Sequence, residues 1–169
     1  MREICFCDYL NLNFEASKEI LTIRNLPYVR EASKNTDEIR LDSHINWIKN
    51  LQHNQYFAII VDSKIIGSIS LIDEEWGIFY KDDIHAILKL LCVYVFFEKV
   101  FQQANNIHAR VKISNQNALN FNLIFGFKET KNDGVFYYLT LNKEEFLNLN
   151  SKTINLLKKL KVSYNIKWF

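Results

Sequence analysis

The sequence predicts an α+β fold, with one central mixed β-sheet flanked by helices and a helical extension at the C-terminus. Three observations predict it. Residues 56–80 break into three short β-rich runs separated by turn residues. Residues 84–104 are apolar on nearly every helical face, as in a helix buried against a sheet. Residues 107–141 then read as strand, helix and hairpin. A three-strand meander followed by strand, helix and strands is an α+β plan built on one mixed sheet.

Arg2 to Leu10 is a first, β-favouring strand. Glu15 to Asn25 carries Ile20, Leu21 and Ile23 at helical spacing, and Pro27 closes that helix. Asp42 or Ser43 is placed to cap a second helix bearing Ile45, Ile48 and Leu51. Tyr56 to Val61 and Ile65 to Ile72 form a hairpin around Asp62-Ser63-Lys64, and Trp76 to Tyr80 is the third run. Asp82 and Asp83 suit the N-cap of the long helix from Ile84 to Ala104. Ile107 to Ile113 alternates as a strand, and Asn115 to Phe125 is helical, with Gly126 ending it. Phe127 to Thr130 and Val135 to Leu141 make a last hairpin around Asn132-Asp133-Gly134. Glu144 to Leu160 reads as one or two helices.

The 169 residues suit one domain with one core, and 49% hydrophobic content rules out a disordered chain. Residues 1–141 are read as the domain and 142–169 as its helical extension, which offers a surface for a homodimer or for docking on its own domain. A net charge of +2 gives no field that implies nucleic acid. The three cysteines, Cys5, Cys7 and Cys92, form no metal-ligand cluster, and an odd count argues against a disulfide framework. No metal is expected. The longest apolar stretch is interrupted by His85, Lys89, Glu98 and Lys99, so no membrane span is expected. Reduced thiols and the lack of a signal-like start place the protein in the cytoplasm as an expectation.

Five segments resemble the GNAT superfamily of N-acetyltransferases. They are Arg24-Asn25-Leu26-Pro27 at a helix end, Ser43-His44-Ile45-Asn46-Trp47, Ile66-Gly67-Ser68-Ile69-Ser70, Trp76-Gly77-Ile78-Phe79-Tyr80, and Asn115-x-x-Ala118 followed by Phe125-Gly126-Phe127. The last points to the superfamily. The first two are similar to its branch in pseudaminic-acid biosynthesis, which acetylates UDP-linked amino sugars. The resemblance covers about residues 1 to 141 and implies an acetyl-CoA-dependent enzyme acting on a nucleotide-linked amino sugar.

It also implies roles. Splayed fourth and fifth strands receive the pantetheine arm, which assigns Ile78, Phe79 and Tyr80 to the cofactor. The loop before the long helix grips pyrophosphate through backbone amides, which adds Ile84, His85 and Ala86. Asn115 and Ala118 complete the cofactor set. Arg24 and His44 are candidates for substrate phosphate or uracil, an arginine being suited to bidentate phosphate recognition. A helix-end salt bridge and a satisfied surface histidine are the alternatives. Trp47 and Trp76, with Tyr56 and Phe57, are candidates to stack on a base, with core packing as the alternative. Glu75, or Glu74 beside it, is the candidate base, and Ser70 is a ligand for the sugar or its amine. Asn122 stands where the family often has an acidic tyrosine, four residues before the glycine of Gly-Phe; Tyr80, Tyr137 and Tyr138 are candidates to replace it.

The chain departs from the family pattern in two places. The loop Lys81-Asp82-Asp83-Ile84-His85-Ala86 holds no glycine, and an amide at Asn122 cannot protonate a leaving thiolate. Two other readings therefore stand beside the first. One is a GNAT enzyme for another small amine or a protein N-terminus; the other is a catalytically retired GNAT scaffold that binds a ligand or partner.

Overall fold

The computed structural model describes residues 2–169. Its elements in chain order are β1 (Arg2–Asp8), α1 (Phe14–Arg24), α2 (Pro27–Ala32), α3 (Leu41–Ile48), β2 (Tyr56–Val61), β3 (Lys64–Ile72), β4 (Glu75–Tyr80), α4 (Ala86–Val100), β5 (Asn106–Lys112), α5 (Gln116–Ile124), β6 (Lys128–Asn132), β7 (Phe136–Asn142), α6 (Lys143–Leu147), α7 (Lys152–Lys161) and β8 (Tyr164–Trp168). This is a mixed α/β fold. The chain divides into two compact units, one holding residues 2–71, 77–85 and 164–169, the other Ile72–Trp76 and Ala86–Ser163.

In the first unit the strands run in the order β4-β3-β2-β1-β8. The neighbours β1, β2 and β3 are antiparallel, while β8 lies parallel to β1 with Arg2 opposite Tyr164 and Phe6 opposite Trp168. Ile4 and Phe6 are fully buried and Cys5 nearly so, so β1 is covered on both faces. Asp8 ends it: one carboxylate oxygen accepts from Leu10 N at 2.9 Å, which starts a 3-10 turn over Tyr9–Asn11, and the other accepts from Asn54 N at 2.7 Å. Asn13 caps α1 through Ala16 N at 2.9 Å, and Ile20, Leu21 and Ile23 turn inward. The core joins Tyr9, Ile20, Ile23, Ile48, Ala58 and Ile65.

Four sequence expectations change here. Pro27 opens a further helix, α2, since its fixed φ and missing N–H suit a first turn. Residue Arg40, with no side-chain cap, precedes α3, so Asp42 and Ser43 lie inside its first turn and do not cap it. Asp82 and Asp83 sit in a turn ahead of α4, which begins only at Ala86. The C-terminal extension is not purely helical, because it ends in strand β8.

Both tight hairpins use two residues in the left-handed region, Asp62 and Ser63 at φ 47° and 66°, and Asp73 and Glu74 at φ 49° and 65°. A bulge shifts the β2–β3 register between Ile59 and Ile60. Just beyond it β4 comes very close: a Cβ built on Gly67 would stand 2.2 Å from the Phe79 carbonyl oxygen. Ile66 O accepts from Lys81 N at 2.9 Å, fastening the same approach.

In the second unit the order is β6-β7-β5-β4, with β5 antiparallel to β7 and β7 to β6. β4 pairs in parallel with β5 where Glu75 stands opposite His108. Every residue of α4 from Leu90 to Phe97 is buried. Phe97 packs edge-on to Trp76 at 4.9 Å and to Phe125 at 5.4 Å, an aromatic core that also takes in Phe127 and Phe146. Gly126 and Gly134 both hold left-handed backbone, φ 85° and 86°. Cys5 and Cys92 are buried free thiols, and Cys7 is half-buried and free.

Two alanine substitutions separate close approach from backbone strain. At Gly134 nothing lies within 4 Å, so Ala there pays only the left-handed penalty, about 1–2 kcal/mol. Gly67→Ala must push two strands apart and should cost more, on the order of 3 kcal/mol. Urea unfolding checks the ranking; equal losses contradict it.

Candidate functional site

The first unit encloses a cavity of about 330 Å³ lined by Tyr9, Ile20, Arg24, Ile39, Ser43, His44, Trp47, Tyr56 and Phe79. Local structure accounts for each wall. Arg24 is the last residue of α1. Ser43, His44 and Trp47 are on α3, with Ser43 and Trp47 one turn apart. Tyr56 begins β2, and Phe79 stands near the end of β4.

The rings form one wall. Tyr9 lies 6.2 Å edge-on from Trp47, 6.5 Å edge-on from His44 and 5.6 Å from Tyr56, while Trp47 meets Tyr56 edge-on at 4.8 Å. Trp47 is 40% exposed, so this wall reaches the surface.

Against that wall stand two nitrogens without partners. Arg24 Nη2 donates to Asn35 O at 3.0 Å, but Nη1 is buried and unbonded. Among the described residues Arg24 has no ion-pair partner, and no carboxylate lines the cavity. His44 is 3% exposed, and its Nε2 is also buried and unbonded. The two structural alternatives named above, a helix-end salt bridge and a surface histidine, are therefore not what the fold contains.

Burial sets the protonation states. It pulls the Arg24 guanidinium below its ordinary value, an effect opposed by nearby Tyr9 and reinforced by Arg30. Burial lowers His44 below 6.5, against a smaller opposite effect from its hydrogen bond to the Ser17 backbone, so the neutral imidazole is favoured. Burial also pushes the Tyr9 and Tyr56 phenols up, keeping both neutral.

Of the other predicted residues, Ser70 shares the cavity's side of the sheet. It lies opposite Tyr56 in the register, and its hydroxyl is what a Cβ on Gly77 would meet, at 3.1 Å. β4, which carries Gly77–Tyr80, stands between β3 and β5 in the strand order β6-β7-β5-β4-β3-β2-β1-β8. Tyr28 donates to the Tyr80 carbonyl at 2.6 Å. Burial raises the Tyr28 phenol to about 12, and Asp82 and Asp83 push it the same way, so the acidic turn lies against Tyr28. Ile84 is half-buried, and His85 is exposed just before α4.

Most of the remaining predicted residues, Phe57 excepted, belong to the second unit and are engaged there. Glu75 accepts from Arg110 at 2.9 Å, and Glu74 lies 3.5 Å from His108 Nε2. Trp76 is a core residue and no stacking surface: it is 7% exposed among Phe97, Phe121 and Phe127. Its indole donates to Asn122 Oδ1 at 3.1 Å, while Asn122 Nδ2 donates to Ala118 O at 2.8 Å. Asn115 caps α5 through Ala118 N at 3.0 Å, which gives the Asn-x-x-Ala spacing a local structural cause. Phe57 is buried against Trp168, 5.6 Å edge-on, and Tyr138 donates to Asp133 at 2.8 Å. No group of three or more metal-ligating side chains occurs among the described residues, and no described helix is long and apolar enough to cross a membrane.

Sequence reasoning missed Tyr9, Ile20 and Ile39 as cavity residues. The signal for Tyr9 was only its position after β1, where an aromatic residue reads as core.

No family model matches the sequence, and no curated protein does. Solved structures do. The chain is similar to the Campylobacter jejuni N-acetyltransferase PseH, with 21% identity over 83% of this chain and 98% of that one, at a TM-score of 0.67. The complex of that enzyme with acetyl coenzyme A gives 23% identity over 83% and 99%, at 0.66. Vibrio cholerae spermidine N-acetyltransferase, bound to CoA and spermine, gives 13% identity over 87% and 98%, at 0.70. The likeness extends to an acetyltransferase of the GNAT family from Bacillus anthracis at a TM-score of 0.66. At these identities the likeness establishes the fold: this chain has the fold of the GNAT N-acetyltransferases.

Two predictions follow from the unpaired nitrogens. Arg24→Met removes a buried donor with no acceptor, so it should stabilise the unliganded protein, by about 1 kcal/mol. A melting midpoint that falls contradicts this. For His44 the folded value lies below 6.5, so on acidification the unfolded chain takes up the proton first and stability falls as pH drops below 6.5. His44→Gln should flatten that decline in urea titrations at pH 7.5 and 5.5; an unchanged pH slope contradicts it.

Proposed function

We propose that this protein is an acyl-CoA-dependent N-acetyltransferase whose acceptor is a nucleotide-linked amino sugar. The observation that carries the acceptor is the cavity, in which unpaired Arg24 Nη1 and His44 Nε2 face a wall formed by Trp47 and Tyr56. A guanidinium donor without a carboxylate suits phosphate, and an aromatic wall suits a planar base. The unpaired guanidinium argues against a polycationic acceptor such as the spermine bound by the Vibrio cholerae enzyme.

The chemistry asks little of side chains. The acceptor amine loses a proton, its nitrogen forms a bond to the thioester carbonyl carbon, and the carbon–sulfur bond breaks to release CoA thiolate. What the protein supplies is proximity and orientation. Ser70, on the cavity side of β3, is the assigned contact for the amine-bearing sugar. Ile78, Phe79 and Tyr80 are the assigned contacts for the pantetheine arm, by strand-like pairing along β4. Amides of the turn through Ile84, His85 and Ala86 are the assigned pyrophosphate ligands. The fit there is divided, because Asp82 and Asp83 add negative charge to a turn without glycine. Glu75 and Asn122 are committed to Arg110 and Trp76, so the proposal gives neither a chemical role.

That acidic turn favours a second reading, a scaffold of this fold that binds the acceptor-like ligand without transfer. Calorimetric titration with acetyl-CoA, followed by a thiol-release assay with a UDP-linked amino sugar, separates the two. The proposal expects binding and turnover. Arg24→Met should then lower kcat/KM for the sugar nucleotide by roughly 10- to 100-fold and leave the KM for acetyl-CoA unchanged. No binding of acetyl-CoA, with UDP still bound, establishes the second reading.

A further inference from the structure

We infer that Tyr9 is a positioning residue of this site, coupling the aromatic wall that receives the acceptor's base to the strand that carries Ser70. The inference rests on the acceptor reading above. Tyr9 is 2% exposed, and its hydroxyl donates to Ser68 Oγ at 2.6 Å; Ser68 is itself 2% exposed. Among the described residues each hydroxyl is the other's only hydrogen-bond partner. The surroundings are apolar: Ile20, Ile23, Ala58 and Ile65 share the Tyr9 cluster.

Two hydroxyls buried together against aliphatic side chains bring little stability. Both must be desolvated to make one bond, and a phenylalanine–alanine pair of similar shape would be nearly neutral or better. What the bond does supply is orientation. At one end it fixes the Tyr9 ring, which is the common neighbour of His44, Trp47 and Tyr56 in the cavity wall. At the other end it holds β3 at Ser68, two residues before Ser70 on the same side of the sheet. Base recognition and amine placement therefore share one hinge point, and a small tilt of the ring moves one against the other.

The test compares Tyr9→Phe, Ser68→Ala and the double variant in the full chain. Both single changes keep the apolar packing. Each should lower kcat with the UDP-linked amino sugar about five- to tenfold, leaving the KM for acetyl-CoA and the melting midpoint unchanged. The double variant should lose no more than either single one, because both remove the same bond. Titration with UDP reads the coupling without turnover: the single variants should bind several-fold more weakly and the double variant no worse. Single variants that match wild type in both kcat and UDP affinity overturn the inference. So do losses that multiply in the double variant, or that track a lowered midpoint. A wild type that binds UDP but turns nothing over counts against the acetyltransferase reading alone, since the UDP titrations still decide the role of Tyr9.

Discussion

Burying a guanidinium nitrogen without an acceptor costs free energy that the fold must recover elsewhere. In the first unit that nitrogen is Arg24 Nη1, joined by the unbonded Nε2 of His44 across one cavity. The recovery comes from the elements that frame it. Ile20 and Ile23 bury the inner face of α1 one turn before Arg24, and Ile48 anchors α3 one turn after His44. The two helices are held by their apolar sides, and one nitrogen each of Arg24 and His44 is left without a partner. A group that fills such a cavity meets a donor at Arg24 Nη1 and, on the neutral imidazole, an acceptor at His44 Nε2.

The sheet supplies the other half of the arrangement. The missing side chain at Gly67 lets the β4 backbone close on β3, and the Lys81-to-Ile66 hydrogen bond fastens that approach. Gly77 leaves space over the Ser70 hydroxyl. Phe79 is thereby brought into the cavity lining.

Much of this was legible in the sequence because it is local. The period-two runs from Tyr56 to Tyr80 gave their strands, and Asp62-Ser63 and Asp133-Gly134 gave their turns. What was not legible was non-local or ambiguous by chemistry. β8 is five residues long and pairs with β1 from the far end of the chain, so nothing in Tyr164–Trp168 announces it. Pro27 ends one helix and begins another with the same fixed φ. At the site, Arg24, His44 and Trp47 line one cavity, and Phe79, which the resemblance assigned to the cofactor, lines it with them. Trp76 does not, because an indole on a buried strand satisfied its N–H with Asn122 and its ring with three phenylalanines. Tyr9 escaped notice because only the fold reveals that a core tyrosine has a buried serine opposite its hydroxyl.

On the proposed function, the Arg24–His44 cavity receives an anionic group joined to a planar ring. The most direct measurement is a competitive calorimetric titration of UDP and spermidine against the wild-type protein. UDP should bind, Arg24→Met should weaken that binding roughly 10- to 100-fold, and spermidine should neither bind in the cavity nor displace UDP. Spermidine binding that survives in Arg24→Met, with no heat from UDP, would contradict it.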